Sequence, residues 1–274
     1  MYLTKARLSN HPQTRSQRVE LMRQGAYASH QLLWKLFPQQ KERPFLFRQE
    51  QGDGYSAPKG EPCFYLLSSH LPENLDGLVE TESKPFHPQL QQGDQLGFTI
   101  RLNPTVCRDK KRHDVLMDAR LQWLKQEAER MRISSQGGQG NLKNELLDQA
   151  KDQDIERWQK LLLERVSEDN IENLQSRKAL LNQVLQALAE QAAKDWWQQR
   201  LESMGVNPDT SSIQQVSGYL QHQLPRKAKE ASFSSVELTG QLTLEQPDLF
   251  LEKVNAGIGR AKAFGCGLML LRRC

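Results

Sequence analysis

Apolar residues recur along this chain with two periods, two and about 3.6, and the switches between them divide it into elements. Tyr2 to Leu8 alternates polar and apolar positions, which predicts a strand. Ser9 to Gly25 is polar and basic, with Arg15, Arg18 and Arg23, and reads as a short helix broken at Gly25 or as a solvated connector. From Ala26 to Phe37 the apolar positions, Leu33, Trp34 and Phe37 among them, mark an amphipathic helix ended by Pro38. Phe45 to Gln49 and Cys63 to Ser68 predict two strands around a Gly/Asp/Pro-rich loop, Gln51 to Pro62, and Leu78 to Phe86 predicts a fourth. The order strand–helix–strand–strand–strand fits a ferredoxin-like sheet whose second helix is short, around Pro72 to Gly77.

A second unit begins with the alternation of Leu96 to Val106, followed by a basic turn, Arg108 to His113. That turn reads equally well as a solvated hairpin tip or an RNA contact. Val115 to Met204 is almost wholly helix-forming and is broken at Gly137-Gly-Gln-Gly140. Apolar residues at helical spacing run through Leu142–Leu163 and Ser176–Leu201; Leu180, Leu181, Val184, Leu185 and Leu188 form one stripe. This pattern predicts a helical hairpin or small bundle, with the stripe as its core. Strand signals return at Ile213 to Leu220 and Phe233 to Leu244, around the basic loop Pro225 to Glu230. A helix from Pro247 to Asn255 and a last strand from Cys266 to Leu271 follow. The fold class expected is therefore α+β: two ferredoxin-like (RRM-like) units in tandem, residues 1–92 and 93–274, with an α-helical insertion in the second at about 118–189.

At 274 residues the chain is long enough to bury a core without staples. Its net charge of +4 and pI of about 8.8 permit a nucleic-acid partner without demanding one. Cys63, Cys107, Cys266 and Cys274 form no C-x-x-C pair, and no secretory signal or long apolar run is present. Reduced thiols and a cytoplasmic location are expected. No Cys/His pair has zinc-ligand spacing, so neither a metal nor another cofactor is expected.

The richest candidate chemistry lies near the end, between Asn255 and Leu271. Gly257, Gly259, Gly265 and Gly267 surround Arg260 and Lys262, and from Lys253 onward there are five basic residues and no acidic one. Glycines allow positive φ and close approach, and free backbone N–H groups with two cations suit phosphate oxygens. A helix cap followed by a tight turn would use the same glycines. Histidine titrates near neutrality and can supply either proton role in acid–base catalysis. On spacing alone, however, His30 on a partly apolar helix would be a surface or core residue.

Taken together, these motifs resemble the CRISPR-associated repeat-processing endoribonucleases of type I-E (the CasE family). That family's loop reads Gly-Ile/Val-Gly-x-x-Lys-x-x-Gly-x-Gly-Leu-Leu, and Gly257, Ile258, Gly259, Lys262, Gly265, Gly267 and Leu268 fill it. Arg260 stands where the family usually has a small residue or proline. Met1-Tyr-Leu-Thr-Lys5 resembles the opening strand, and Tyr27 to Pro38 resembles the helix carrying Tyr-x-x-His and ending in Leu-Phe-Pro. Pro44 to Arg48, Lys84 to Pro88 and Leu102 to Pro104 have counterparts too. The likeness covers about residues 1–115 and 190–274 and leaves out the helical stretch between.

The resemblance implies a metal-independent endoribonuclease that cuts precursor CRISPR RNA at the base of each repeat hairpin. It would leave a 2′,3′-cyclic phosphate and a 5′-OH and stay on its product within an effector complex of other subunits. It assigns catalysis to Tyr27 and His30 and phosphate binding to the glycine loop with Lys262 and Arg260. Arg226, Lys227 and Lys229 join the RNA-binding set by charge and by their place in the basic loop. Two other readings stand beside it: a non-catalytic RNA-binding subunit of the same machinery, and an RNA-binding protein whose helices dock a partner. The pair Tyr27/His30 separates enzyme from binder, since a pure binder needs no histidine beside the scissile phosphate.

Overall fold

The computed structural model of the chain describes residues 1–9, 28–51, 61–75, 77–134, 138–166, 176–224 and 231–274. Strands β1 (Tyr2–Leu8), β2 (Phe45–Gln51), β3 (Pro62–Ser68) and β4 (Val79–Pro85) form an antiparallel sheet in the order β2-β3-β1-β4. Helix α1 (residues 28–34) lies between β1 and β2 in sequence and buries Ala28, Leu32 and Leu33 in one cluster with Ala6, Phe45, Phe47, Phe64 and Leu66 of the sheet. Burial of such side chains is worth about 1.5–3 kcal/mol each.

A second antiparallel sheet is built from β5 (Gln95–Leu102), β8 (Ser212–Leu224), β9 (Ala231–Thr243) and β10 (Met269–Arg273), in the order β10-β5-β9-β8. Numbered by appearance, each sheet has its strands as 4-1-3-2, the ferredoxin-like permutation. In the second sheet helix α6 (Pro247–Ala256) supplies the crossover before the last strand and buries Phe250 and Val254. Among the described residues the first sheet has no such helix. The one expected around Pro72 to Gly77 does not form among the described residues, where the backbone is extended and turns at Leu75. Six residues close too few i→i+4 bonds to repay helix nucleation. The N–H of Glu73 is committed instead to the carbonyl of Leu36, at 2.8 Å.

Among the described residues, four α-helices lie between β5 and β8. A hairpin, β6 (Thr105–Arg108) and β7 (Lys111–Asp114), comes first, turning through Asp109 and Lys110, both at positive φ. The alternation expected to run unbroken from Leu96 to Val106 is thus interrupted at Asn103-Pro104, where proline cannot donate to a ladder. Helices α2 (Val115–Arg130), α3 (Gln139–Gln149), α4 (Asp152–Leu163) and α5 (Arg177–Leu201) follow. Asp114 caps α2, accepting from the N–H groups of Leu116 and Met117 at 2.9 and 3.0 Å. The helical pattern from Leu142 to Leu163 is two helices, because Asp154 accepts from the N–H of Lys151 and starts a new one.

By compactness the chain divides into residues 1–103 with 200–274, and residues 104–199, the latter taking in the β6–β7 hairpin as well as the helices. Leu180, Leu181, Val184 and Leu185 of the predicted stripe are buried in the helical core with Leu124, Leu146, Trp158 and Leu162. Glu127, 2% exposed, accepts from the Trp158 indole at 2.7 Å and from two nitrogens of Arg130 at 2.7 and 3.1 Å. Arg130 also pairs with Asp154, so a buried polar group ties α2 to α4.

Candidate active site

His30 is set on α1 by the packing of that helix. Ala28, Leu32 and Leu33 face the sheet. The helix tightens at its end, with the N–H groups of Leu36 and Phe37 bonding three residues back, and it stops before Pro38. The His30 ring lies 6.0 Å from Trp34, 5.9 Å from Phe45 and 6.2 Å from Phe47, centre to centre. Its Nδ1 is buried and has no hydrogen-bond partner among the described residues. Burial, and then the positive charge of Arg43, lower its pKa below 6.5. Both causes favour the neutral imidazole over the imidazolium.

The glycine loop follows α6 directly. Gly257, Gly259, Gly265 and Gly267 all have positive φ, as does Ala261. Two positions require glycine for space. A methyl group on Gly257 would sit 2.6 Å from a methyl of Leu46, and one on Gly267 would sit 2.7 Å from the Ile258 carbonyl oxygen. The loop closes through the Ile258 N–H to the Gly267 carbonyl, at 2.9 Å, and is tied to β5 through the Gly267 N–H to the Arg101 carbonyl, at 2.8 Å. Lys262 donates to the Ala256 carbonyl at 2.7 Å, at the C-terminal end of α6 where a cation is favoured. Its pKa is lowered by burial and then by Arg43.

Strand β2 brings these pieces together. Phe47, whose ring neighbours His30, also lies against the loop: a methyl group on Gly265 would meet that ring at 3.4 Å. Leu46 takes the place beside Gly257. Thus Phe47 of β2 meets both α1 and the loop, and Leu46 meets the loop as well. A set of ion pairs holds the same strand. Arg48 is buried and pairs with Glu50 and, at 2.8 Å, with Glu237 of β9; Arg101 of β5 reaches Glu237 at 3.2 Å and the Gln49 carbonyl at 2.9 Å.

Of the residues singled out from sequence, His30, Lys262 and the four glycines fall in this region. Arg260 is exposed on the loop and makes no ion pair among the described residues. Tyr27, Arg226, Lys227 and Lys229 lie outside the described residues. His222 is a half-buried member of β8: its Nε2 is 2.8 Å from the Ser235 hydroxyl, and its ring stacks on Phe233 at 4.5 Å. Phe233 in turn stacks on Phe264 of the glycine loop at 5.0 Å. Cys266 is buried, and its thiol is pushed up to about 12, which keeps it protonated. No group of three His, Cys, Asp or Glu side chains is placed to hold a metal among the described residues, and no helix there is long and apolar enough to cross a membrane.

Sequence reasoning missed Arg43. It is half-buried, its charge acts on both His30 and Lys262, and burial lowers its own pKa. Its one signal is its place, immediately before Pro44 and the strand whose phenylalanines contact His30 and the loop.

A family described as CRISPR-associated protein matches residues 1–273. The chain is 26% identical over 250 residues to the CRISPR system Cascade subunit CasE of Escherichia coli K12, covering 89% of this chain and 90% of that protein. Two solved structures share the fold. A CRISPR endoribonuclease Cse3 bound to a 19-nucleotide RNA is 20% identical, with a TM-score of 0.57 over 99% of this chain and 100% of that one. A Thermus thermophilus Cse3 bound to RNA representing a pre-cleavage complex is 19% identical, also at 0.57, over 99% and 98%.

Proposed function

As the chain belongs to the CRISPR-associated protein family, and within it to the CasE kind, we propose that it is an endoribonuclease that processes CRISPR RNA. Its RNA-bound relatives support the substrate class, and the Cascade subunit supports assembly into a larger complex. In this reading it cuts precursor CRISPR RNA within each repeat, at the base of the hairpin, without a metal ion, and remains on the product. The observation that carries the reading is His30: its pKa is lowered, its buried Nδ1 has no partner among the described residues, and its ring neighbours Phe47, which lies against the loop of positive-φ glycines.

The chemistry follows from those groups. A ribose 2′-OH gives its proton to a base as its oxygen attacks the adjacent phosphorus. The bond from phosphorus to the 5′-oxygen breaks, and that oxygen takes a proton. The products are a 2′,3′-cyclic phosphate and a 5′-OH. His30, neutral before the step, is suited to take the first proton, and Tyr27 is assigned to orient the phosphate or donate to it. Lys262 and the loop N–H groups offset the charge that gathers on the phosphate oxygens. The RNA stem would be read largely through shape and phosphates, with Arg226, Lys227, Lys229 and Arg260 supplying positive charge.

Incubation with the host's CRISPR repeat RNA in excess EDTA, beside His30→Ala, tests this directly. Wild type is expected to cut and leave a cyclic phosphate. His30→Ala is expected to bind the RNA and cut about 10²–10⁴-fold more slowly, the usual contribution of a placed acid or base. Tight binding without a cut by either protein would leave an RNA-binding subunit and no enzyme. Cleavage that EDTA abolishes would overturn the metal-free step.

A further inference from the structure

We propose that Arg101 is a positioning residue of the cleavage reaction: it joins the glycine loop to β2 and, through Gln49 and Ser29, sets where α1 holds His30. The inference rests on the endoribonuclease reading and adds to it a residue outside the catalytic and RNA-binding sets. Its ground is a run of hydrogen bonds that passes through one residue. The Arg101 carbonyl accepts from the Gly267 N–H at 2.8 Å, so its main chain holds the glycine loop. Its guanidinium donates through Nη1 to the Gln49 carbonyl at 2.9 Å, so its side chain holds β2. The Gln49 side chain accepts in turn from the Ser29 hydroxyl at 2.8 Å. Ser29 is buried on α1 and is the residue before His30.

The guanidinium is itself held in place. Its Nη2 donates to Glu237 of β9 at 3.2 Å, and the same carboxylate oxygen accepts from buried Arg48 at 2.8 Å. Arg48 and Gln49 are neighbours on β2, so two adjacent residues of that strand are tied to β9 and β5 of the second sheet. Phe47, the residue before them, has its ring beside His30 and against Gly265. A guanidinium can serve a carbonyl and a carboxylate at once because its donors form a rigid planar fork. The Arg101 and Glu237 side chains are 27% and 26% exposed, and ion pairs open to water add little stability. The consequence of the arrangement is geometric: the glycine loop and the helix that carries His30 share one anchor. A misplacement of about 1 Å can cost a reaction about 10²-fold. Replacing the Arg101 side chain leaves its carbonyl, so the loop stays on β5 while β2 is released.

The test is single-turnover cleavage of the host's repeat RNA at saturating protein, with the RNA dissociation constant measured alongside. Arg101→Met is expected to cut about 10²-fold more slowly than wild type while binding RNA with unchanged affinity. Gln49→Ala leaves the ion pairs and the Gln49 carbonyl in place and removes only the acceptor of Ser29. It is expected to slow the cut as well, and the double variant is expected to be no slower than Arg101→Met, because both act along one path. In a His30→Ala background neither change is expected to slow the residual cut further. Lost affinity with a wild-type rate at saturation would make Arg101 an RNA ligand and overturn the assignment. So would effects that multiply in the double variant or persist in full without His30. If Arg101→Met does not fold, Gln49→Ala carries the test, and a wild-type rate from it overturns the proposal. If wild type binds the RNA and leaves it uncut, the endoribonuclease reading fails instead.

Discussion

At the scale of single residues, protonation decides what His30 can do. Trp34 of its own helix and Phe45 and Phe47 of β2 face the ring, and Arg43 is the charge that acts on it. Both the apolar walls and the cation disfavour the imidazolium, so the pKa lies below 6.5. For a base, kcat/KM rises with pH through that lowered value and is flat above it. Arg43→Ala removes the repelling charge, raises the His30 pKa and shifts the rise to higher pH. A profile that instead falls through this range would assign His30 the role of acid. His30 stands out in the sequence through its motif, but Arg43 does not. A lone arginine before a proline is indistinguishable from a solvated one until its neighbours are in place.

At the scale of elements, the glycine loop shows what a pattern of residue types can and cannot tell. Four glycines in eleven residues announce a backbone in unusual conformations, and all four have positive φ. Which of them is needed for space is a tertiary matter, since the obstacles are Leu46 on another strand and Ile258 across the loop. Gly267→Ala would combine a strained φ with a methyl group 2.7 Å from a carbonyl oxygen. It is expected to cost about 1–3 kcal/mol in urea unfolding and to weaken RNA binding together with stability. Unchanged stability would show that the loop reshapes freely. Helix propensity marks out the stretch between β5 and β8, whereas the division of Leu142–Leu163 into α3 and α4 depends on the Asp154 cap. The short helix expected near Pro72 does not form; the Glu73 N–H goes to the Leu36 carbonyl instead.

For the whole molecule, two compact units with separate cores predict two unfolding steps. Four of the five tryptophans, Trp123, Trp158, Trp196 and Trp197, belong to residues 104–199, so tryptophan fluorescence follows the helical step. Glu127→Ala leaves the buried Trp158 N–H without its acceptor and Arg130 with Asp154 alone. The helical step is expected to lose about 1–3 kcal/mol, the cost of a buried donor left unsatisfied. Far-UV circular dichroism should show the other step unmoved. A single transition that shifts as one would mean the two units fold together.

The sequence by itself determined where most strands and helices lie, because periods of two and 3.6 follow from backbone geometry and need no partner; the missing helix near Pro72 and the division of Leu142–Leu163 did not follow from it. It also determined the presence of a glycine loop and a histidine with the side-chain chemistry for RNA cleavage. Only the tertiary structure decided that β2 stands between them, with Phe47 against both the His30 ring and Gly265. It alone decided that Arg48 would be paired with Glu50 and Glu237. Burial and ion pairing are properties of side chains far apart in sequence, and no local pattern encodes which cation meets a carboxylate.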